Sequence, residues 1–181
     1  MTNEYARRLG MVHVYTGDGK GKTTCALGLA FRALGWGFRA CFIQFIKGYP
    51  EIGEIKFGSE LGNRFQIRQY ALDTTRQIDE SKVLQRKAQA EEAFEYAWKT
   101  VNSGEWDLVV LDEILVAVRY NLIGEKELLK LISEKPPQVE LILTGRNASP
   151  AVVEAADYVT EMTLVKHPFT RGIQARKGID Y

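Results

Sequence analysis

Cysteine is scarce in this sequence of 181 residues, which contains only Cys25 and Cys41. Both lie in apolar stretches and lack the spacing of metal ligands, which argues against a disulfide framework and against a cysteine-based metal site. We therefore expect two reduced core residues of a cytoplasmic protein, and a disulfide between them is the alternative.

The sequence also lacks an excess of charge of either sign and has no long apolar run. The formal net charge is +1 at pH 7, so no overall field draws nucleic acid or anionic lipid to the protein. No apolar stretch is long enough to cross a bilayer, and no signal peptide is visible. Repeats and linker-like stretches are absent as well. We expect one domain over residues 1–181 that has no nucleic-acid or membrane partner, with a flexible segment at residues 1–10.

Short apolar runs alternate with helical patterns along the chain, which is typical of an α/β fold with a mainly parallel sheet. The apolar runs predict six strands, at Met11–Tyr15, Ala40–Ile46, Phe65–Tyr70, Leu108–Leu111, Val139–Leu143 and Tyr158–Leu164. Helical spacing predicts four helices, at Lys22–Leu34, Glu80–Asn102, Glu125–Ser133 and Pro150–Ala156. Residues 49–63 have a mixed pattern.

Details of three elements can also be predicted. The long helix carries apolar residues at steps of three and four, which predicts a buried face that includes Val83, Ala90 and Ala97. Gly35 is the predicted end of the first helix. The Phe65–Tyr70 run alternates in polarity, which is typical of a strand nearer the edge of the sheet.

The stretch TGDGKGKTT at residues 16–24 lies between the first predicted strand and the first predicted helix. Its GKT, at residues 21–23, fits the second half of the P-loop pattern G-x-x-x-x-G-K-[ST]. Thr16 stands at the first glycine of that pattern. Gly17 and Gly19 still allow the backbone to turn its N–H groups toward an anion, and the start of the helix adds its positive end.

The residue types in this loop suit a phosphate site. Lys22 is expected to reach phosphate oxygens, and the Thr23 hydroxyl is expected to bind Mg²⁺. Lys20 could also touch a phosphate, and a solvated loop lysine is the alternative. For the loop as a whole, the alternative is a glycine-rich turn that binds nothing.

A P-loop protein also needs an acidic residue at the end of an apolar strand to hold the metal. The stretch WDLVVLDE at residues 106–113 supplies Asp112 and Glu113. We expect one of them to touch Mg²⁺ and the other to act through water or to position a group. The alternative is that Asp112 caps the next helix.

These motifs predict a magnesium–nucleotide site on a parallel sheet and leave the reaction open, because P-loop proteins catalyse many reactions. No phosphate acceptor site with a candidate general base stands out, as a kinase would require. The N-K-x-D-like motif with which GTPases recognise the nucleobase is absent from the sequence. Three classes remain at this point: a group transferase, a P-loop NTPase or kinase acting on a small molecule, and a non-catalytic nucleotide-binding regulator.

Four stretches together resemble the ATP:corrinoid adenosyltransferases of the BtuR/CobO type. They are TGDGKGKTT at 16–24, QFIKG at 44–48, VVLDE at 109–113 and LTGR at 143–146. The tail VKHPFTRGIQARKGIDY at 165–181 is similar to the family's closing segment. The family's own P-loop has threonine at the position of Thr16, and the resemblance runs from about Met11 to Tyr181.

The resemblance implies a RecA-like P-loop domain, with a six-stranded, mainly parallel sheet and helices on both faces, that forms a homodimer. It also implies transfer of the 5′-deoxyadenosyl group of ATP to the Co(I) of a reduced corrinoid, with release of triphosphate. ATP lies reversed in the family's P-loop compared with ordinary NTPases. A partner that generates Co(I), such as a flavoprotein reductase, is implied as well.

The site predicted from the motifs and the resemblance contains three overlapping sets. Lys22, Thr23 and Glu113 are the predicted catalytic residues, and Thr23, Asp112 and Glu113 are the predicted magnesium ligands. Arg146 should lie at the carboxyl edge of the sheet, where ligands bind in open α/β folds. The predicted ATP contacts are Gly17, Asp18, Gly19, Lys20, Gly21, Lys22, Thr23, Thr24, Arg32 and Arg146.

Arg32 belongs to this set because the family has a nucleotide-contacting arginine at the matching position, and a surface helix residue is the alternative. Lys47 is given a similar nucleotide role. His167 and Arg171 are candidates for the corrinoid side, with solvated positions as the alternative. Three aromatic residues are predicted to be core residues rather than cofactor contacts: Phe57, Phe94 and Trp98.

The sequence departs from the family in two places. Better-known members carry a longer N-terminal extension that covers the corrinoid, whereas here residues 1–10 precede the first strand, so we expect a short lid or none. Members also place aromatic residues after the third strand, near the lower face of the corrin. Residues 70–78 read YALDTTRQI here, with Tyr70 as the one aromatic residue, which leaves the preferred corrinoid and the route to four-coordinate cobalt open.

Overall fold

Six β-strands form a sheet in the computed structural model, which describes residues 9–46, 51–70 and 80–181, except for the side chains of 80–82. The strands are β1 Val12–Thr16, β2 Ala40–Gln44, β3 Phe65–Gln69, β4 Leu108–Asp112, β5 Glu140–Thr144 and β6 Tyr158–Glu161. Their order is β3-β2-β4-β5-β1-β6, and all neighbouring pairs are parallel. The predicted sheet is confirmed, although β2 and β6 end earlier than predicted.

The described residues also contain six α-helices. They are α1 Lys22–Gly35, α2 Gly53–Gly58, α3 Glu80–Asn102, α4 Ile114–Arg119, α5 Glu125–Glu134 and α6 Pro150–Glu154, and short 3₁₀ helices occupy Ser59–Arg64 and Pro168–Arg171. The four predicted helices are confirmed. The sequence did not predict α2 and α4, because six residues are too few to establish a helical period. Of the helices that the structure describes, none has the length and apolar character that crossing a membrane requires.

Helices cover both faces of the sheet, as predicted. Successive residues of a strand point to opposite faces, and the central strands are apolar on both. On one face, Phe42 and Val110 pack with Ala26 and Ala30 of α1. On the other face, the buried residues of β2, β4 and β5 pack with α3, α4 and α5. β3 is an edge strand with the predicted alternation, and β6, the other edge, is exposed throughout.

Two details of the prediction are wrong. Val83 is 44% exposed, whereas Ala90, Ala93, Ala97 and Val101 form the buried face of α3. The buried alanines are small and let α3 approach the sheet closely. Val83 lies in the first turns of α3, before this buried face begins. Cys25 is an exposed thiol on α1, whereas Cys41 is buried in β2 as expected.

The end of α1 also differs from the prediction. Gly35 is still helical, and Gly37 takes the left-handed conformation that stops the helix, with φ 84°. The N–H groups of Gly37 and Phe38 then donate to the carbonyls of Leu34 and Ala33, at 3.0 and 3.1 Å. This double hydrogen bond is a Schellman motif, which needs a glycine one residue beyond the cap.

Two parts of the chain for which the sequence analysis made functional statements lie outside the described residues. They are Lys47, at the end of QFIKG, and residues 71–79, the aromatic-poor stretch after Tyr70. Residues 1–8 of the predicted flexible segment also lie outside. The corresponding predictions therefore stay predictions.

Glu140 ties the start of β1 to β5. Its Oε2 accepts hydrogen bonds from the N–H groups of Gly10 and Met11, at 2.7 and 2.9 Å, and His13 Nε2 lies 2.6 Å from its Oε1. Burial by itself raises the pKa of this carboxyl, but the hydrogen bonds from His13, Gly10 and Met11 outweigh it and hold the pKa below the ordinary value. The ionised form of Glu140 therefore stabilises the fold.

We predict that Glu140→Gln lowers the free energy of unfolding at neutral pH by about 1–3 kcal/mol, because hydrogen bonds to a carboxylate become weaker amide bonds. A lowered folded-state pKa gives stability that is present above the unfolded-state value of 4.5 and is lost as the pH falls through the folded-state pKa. Urea unfolding of both proteins should therefore show a smaller difference at about pH 3 than at neutral pH. Glu134→Gln, on the exposed surface of α5, is the control. An equal difference at both pH values would contradict the assignment.

Candidate active site

The candidate site lies where the carboxyl ends of β1, β4 and β5 meet at one edge of the sheet. Each of these strands is followed by one of the predicted motifs, and the parallel topology brings the three motifs together. A cavity of about 710 Å³ opens there, which is within the usual range for small-molecule sites. Its wall consists of the 18–24 loop, Leu27, parts of α2, Glu113, Arg146, residues 167–169 and residues 173–181 except Lys177.

The glycines of the loop are required by a neighbouring segment. A Cβ atom on Gly17 or Gly19 would lie 2.5 or 2.6 Å from the Met162 carbonyl oxygen, just beyond β6. The Gly19 N–H donates to that oxygen at 2.6 Å, and the Met162 N–H donates to the Thr16 carbonyl at 2.9 Å. The Gly19 amide is thus engaged with protein, so the expectation that the whole loop turns its N–H groups toward an anion needs correction at this residue.

Thr16 has a structural reason to differ from the glycine of the general pattern. Its side-chain Oγ1 accepts a hydrogen bond of 3.1 Å from the N–H of Ala148, in the loop that follows β5. A glycine at this position would lose that bond. The threonine therefore connects the phosphate loop to the loop that carries Arg146.

Lys22 is the first residue of α1 and is 7% exposed. Its Nζ donates to the carbonyl oxygens of Gly17 and Gly19, at 2.7 Å each, so the loop wraps around the ammonium group. Burial lowers the pKa of Lys22, while the nearby Glu113 carboxylate opposes that shift. The side chain is thus held within the loop and borders the cavity.

Asp112 ends β4 and is completely buried. Its Oδ1 accepts hydrogen bonds from Thr23 Oγ1 at 2.9 Å and from Thr144 Oγ1 at 2.7 Å. Its Oδ2 accepts a longer bond of 3.3 Å from Gln44 Nε2. Asp112 therefore does not cap α4, where Glu113 is the N-cap residue, and its carboxylate lies beside the Thr23 hydroxyl.

Glu113 comes next in a left-handed conformation, with φ 64°. Its N–H donates to Thr144 Oγ1 at 2.9 Å, and α4 begins at the next residue. A non-glycine residue in this region is strained, and such strain clusters at functional sites. The turn separates the two carboxylates: Asp112 is buried, and Glu113 lines the cavity.

The sequence reasoning missed two polar residues of this network, Gln44 and Thr144. Gln69 Nε2 donates to Gln44 Oε1 at 2.8 Å, so the network extends to the edge strand β3. A signal was available, because each of the two is a polar residue at the end of a buried strand, within QFIKG and LTGR. Their roles depend on neighbouring strands, which a single strand pattern does not reveal.

The outer residues form ion pairs around the cavity. Arg146 Nη1 lies 3.5 Å from Asp18 Oδ1, and both side chains are more than half exposed. Lys20 Nζ lies 2.7 Å from Asp180 Oδ1. Thr24 also contributes to the wall, as does Gly21, whose φ of 124° only glycine adopts readily.

Some predicted residues do not lie as expected. Arg32 is exposed, in the last turn of α1, and is not part of the cavity wall; ten residues of helix place it about 15 Å along the axis from Lys22. Arg171 is also absent from the wall, whereas His167 belongs to it. Phe57 was predicted to be a core residue but is 50% exposed and lines the cavity, because α2 was not predicted.

The other two aromatic residues, Phe94 and Trp98 of α3, are partly buried and pack against the core as predicted.

A sequence model of the family described as ATP:corrinoid adenosyltransferase BtuR/CobO/CobP matches residues 8–181. This chain belongs to that family. The match confirms the resemblance, and it covers the loop, both acidic residues, Arg146 and the closing segment. It therefore includes the motifs that the parallel sheet brings together around the cavity.

Curated relatives agree with this membership. The corrinoid adenosyltransferases of Sinorhizobium sp and Escherichia coli K12 are each 37% identical to this chain, over 95% of it and over 80% and 86% of their own sequences. The corrinoid adenosyltransferase CobA of Salmonella typhimurium is 34% identical, over 95% of this chain and 86% of its own.

A solved structure resembles the fold. The KaiC-like protein PH0186 of Pyrococcus horikoshii OT3 has a TM-score of 0.54 at 20% identity, over 88% of this chain and 75% of that chain. At this level of identity the likeness concerns the fold alone, and it confirms the predicted RecA-like P-loop architecture.

We predict that Gly19→Ala destabilises the protein by about 1–3 kcal/mol, because the added methyl group would collide with backbone atoms of Met162 and Thr163. Gly28→Ala is the matched control. It lies inside α1, where the added Cβ has no atom within 4 Å apart from the adjacent residues and the backbone of its own helix, and it should stabilise the protein by about 0.5–1 kcal/mol. Urea unfolding measures both changes. If Gly19→Ala were as stable as the parent, the packing of the loop against the residues directly after β6 would be wrong.

Proposed function

We propose that this chain transfers the 5′-deoxyadenosyl group of ATP to the Co(I) of a reduced corrinoid and releases triphosphate, using one domain formed by residues 1–181. Family membership gives the reaction as ATP-dependent adenosyl transfer to a corrinoid. It does not favour the alternative of a P-loop NTPase or kinase acting on another small molecule.

The observation that carries the residue assignment is the position of Lys22. An ammonium group that is buried among loop carbonyls at the first turn of α1 adds its own charge to two other sources of positive potential, the loop amides other than that of Gly19 and the helix N-terminus. We assign Gly17, Asp18, Gly19, Lys20, Gly21, Lys22, Thr23, Thr24 and Arg146 to the ATP site. Arg32 is left out of this set because it is far from the cavity.

The protein does not have to supply the nucleophile in this reaction. Co(I) supplies the electron pair that forms the Co–C5′ bond, the C5′–O5′ bond breaks, and its electron pair leaves with the triphosphate oxygen. No serine, cysteine or histidine has to be activated for this step. The protein has to hold C5′ in line with cobalt and to stabilise the charge that grows on the leaving oxygen.

The residues around the loop suit the second task. Lys22 and the N–H groups at the start of α1 are fixed before the nucleotide binds, so they need no reorganisation when charge develops. Removal of one such preorganised donor costs about 3–4 kcal/mol of barrier in well-studied enzymes. We therefore give Lys22 the main catalytic role, with Thr23 and Glu113 beside it.

We also propose that Mg²⁺ accompanies ATP. In the described residues, no group of three or more His, Cys, Asp or Glu side chains could hold a metal alone. The hydroxyl of Thr23 and the carboxylate of Asp112 offer hard oxygen ligands, and Glu113 is placed to act through water, which fits an ion that takes its remaining ligands from phosphates and water. Bound there, the ion would neutralise charge on the phosphates.

Three further statements about the cell and assembly are proposals drawn from the family. We propose that the chain acts in the cytoplasm as a homodimer. Because cobalt has to be reduced to Co(I) before transfer, we also propose that a flavoprotein reductase supplies the electrons. A mass in solution of one chain, 20.5 kDa, would contradict the homodimer.

One anaerobic assay distinguishes the reactions. The protein is incubated with ATP, Mg²⁺ and a chemically reduced corrinoid, and the products are separated. We expect a light-sensitive adenosylcorrinoid and inorganic triphosphate. ADP with phosphate would instead indicate an NTPase or kinase, and nucleotide binding without any product would indicate a regulator.

We predict that Lys22→Ala lowers the turnover of adenosyl transfer at least about a hundredfold, because the leaving triphosphate loses its buried cation. Lys99→Ala, a highly exposed lysine of α3, is the control and should keep normal turnover. Thermal unfolding of both variants shows whether the fold is intact. Normal adenosyl transfer by Lys22→Ala would refute the assignment of the loop.

A further inference from the structure

Lys20, the second lysine of the phosphate loop, is held by the closing segment of the chain. Its Nζ donates to Asp180 Oδ1 at 2.7 Å and to the carbonyl oxygen of Ile179 at 3.3 Å. The Lys20 side chain is 49% exposed, so it is in contact with both solvent and the cavity. Two oxygens of the closing segment thus surround the ammonium group of a loop that is built for phosphate oxygens.

The segment makes a turn that presents Asp180 to the loop. The N–H of Asp180 donates to the Arg176 carbonyl at 2.8 Å, and the N–H of Gly178 donates to the Tyr181 carbonyl at 2.8 Å. Gly178 has φ 76°, which allows the chain to reverse. Arg176 Nε also donates to Asp180 Oδ2 at 3.1 Å. Asp180 is therefore fixed by its own turn and reaches Lys20 as a preformed group.

Asp180 is ionised under all ordinary conditions. Hydrogen bonds from Lys20 and from the backbone and side chain of Arg176 hold the pKa of this carboxyl well below its usual range. Its charge lies on the wall of the cavity that the proposed function assigns to ATP. A triphosphate in that cavity and the Asp180 carboxylate are both anions whose oxygens can accept a hydrogen bond, and Lys20 lines the same cavity.

We propose that Asp180 is a positioning residue that competes with triphosphate for the Lys20 ammonium and thereby promotes release of this product. This inference rests on the proposed function. When the leaving triphosphate is in the loop, Lys20 donates to a phosphate oxygen. When Lys20 instead donates to Asp180, as it does in the structure, the triphosphate loses that contact, and the repulsion between carboxylate and triphosphate favours departure of the product.

Competition by Asp180 would counteract the retention of triphosphate in the site after the transfer. Triphosphate carries several negative charges, and the features that stabilise it as a leaving group also retain it as a product. Release of product limits the turnover of many enzymes. The Asp180 carboxylate weakens the contact between Lys20 and triphosphate and so lowers the affinity for the product. It leaves the contact of the buried Lys22 with triphosphate unchanged.

The test compares binding of inorganic tripolyphosphate, with Mg²⁺ present, to the full chain and to Asp180→Asn. Loss of an exposed competing ion pair should tighten binding about threefold to fivefold. Glu51→Gln is the matched control, because it makes the same change of charge and also contacts the segment, through Lys177 at 3.6 Å, without touching Lys20. It should change the affinity less than twofold.

A double-mutant cycle assigns the effect to Lys20. In a Lys20→Gln background, Asp180→Asn should no longer tighten tripolyphosphate binding, because the contested ammonium is gone. In adenosyl transfer, Asp180→Asn should lower the multiple-turnover rate more than the single-turnover rate, and it should lower the inhibition constant for triphosphate. A purely structural role of Asp180 would not separate these two rates.

Two results would overturn the proposal: unchanged or weaker tripolyphosphate binding by Asp180→Asn, or an equal gain in affinity by Glu51→Gln. The proposed function fails in a different way. In that case the parent chain would bind no tripolyphosphate and would form no adenosylcorrinoid, and the proposal for Asp180 would fall with it.

Discussion

A buried carboxylate organises the functional edge of this protein. Asp112 has no exposed surface, and a charged group is tolerated there only when hydrogen bonds replace the water it has lost. Those bonds come from three separate parts of the chain: Thr23 after the phosphate loop, Thr144 at the end of β5 and Gln44 at the end of β2. By satisfying Asp112, these residues fix the positions of the loop, the central strands and Glu113 relative to one another.

The two lysines of the loop face opposite environments, although one residue separates them. Lys22 points inward and is surrounded by carbonyls of its own loop. Lys20 points outward and contacts the turn at residues 176–181. Both ammonium groups therefore donate hydrogen bonds to protein oxygens. A nucleotide that binds here would meet one cation that is already fixed and one that has to leave an internal carboxylate.

The glycine-rich loop is shaped from outside as well as from within. Residues 162 and 163, directly after the edge strand β6, approach Gly17 and Gly19 so closely that no side chain fits between them. β6 itself is exposed along its length, and it places these two residues against the loop by pairing with β1. The chain beyond β6 supports the phosphate loop first and then returns to line the cavity.

The sequence by itself determined the parallel sheet, the four longer helices, the loop and its acidic partner, because these depend on local patterns of apolar, glycine and charged residues. It did not predict α2 and α4, the exposure of Cys25 or the distance of Arg32 from the cavity. Tertiary structure alone decided that Gln44 and Thr144 meet at Asp112, that Phe57 lines the cavity and that Asp180 reaches Lys20. Strand order and the path of the closing segment create these contacts, and their energies arise between residues far apart in the chain, where no local pattern can report them.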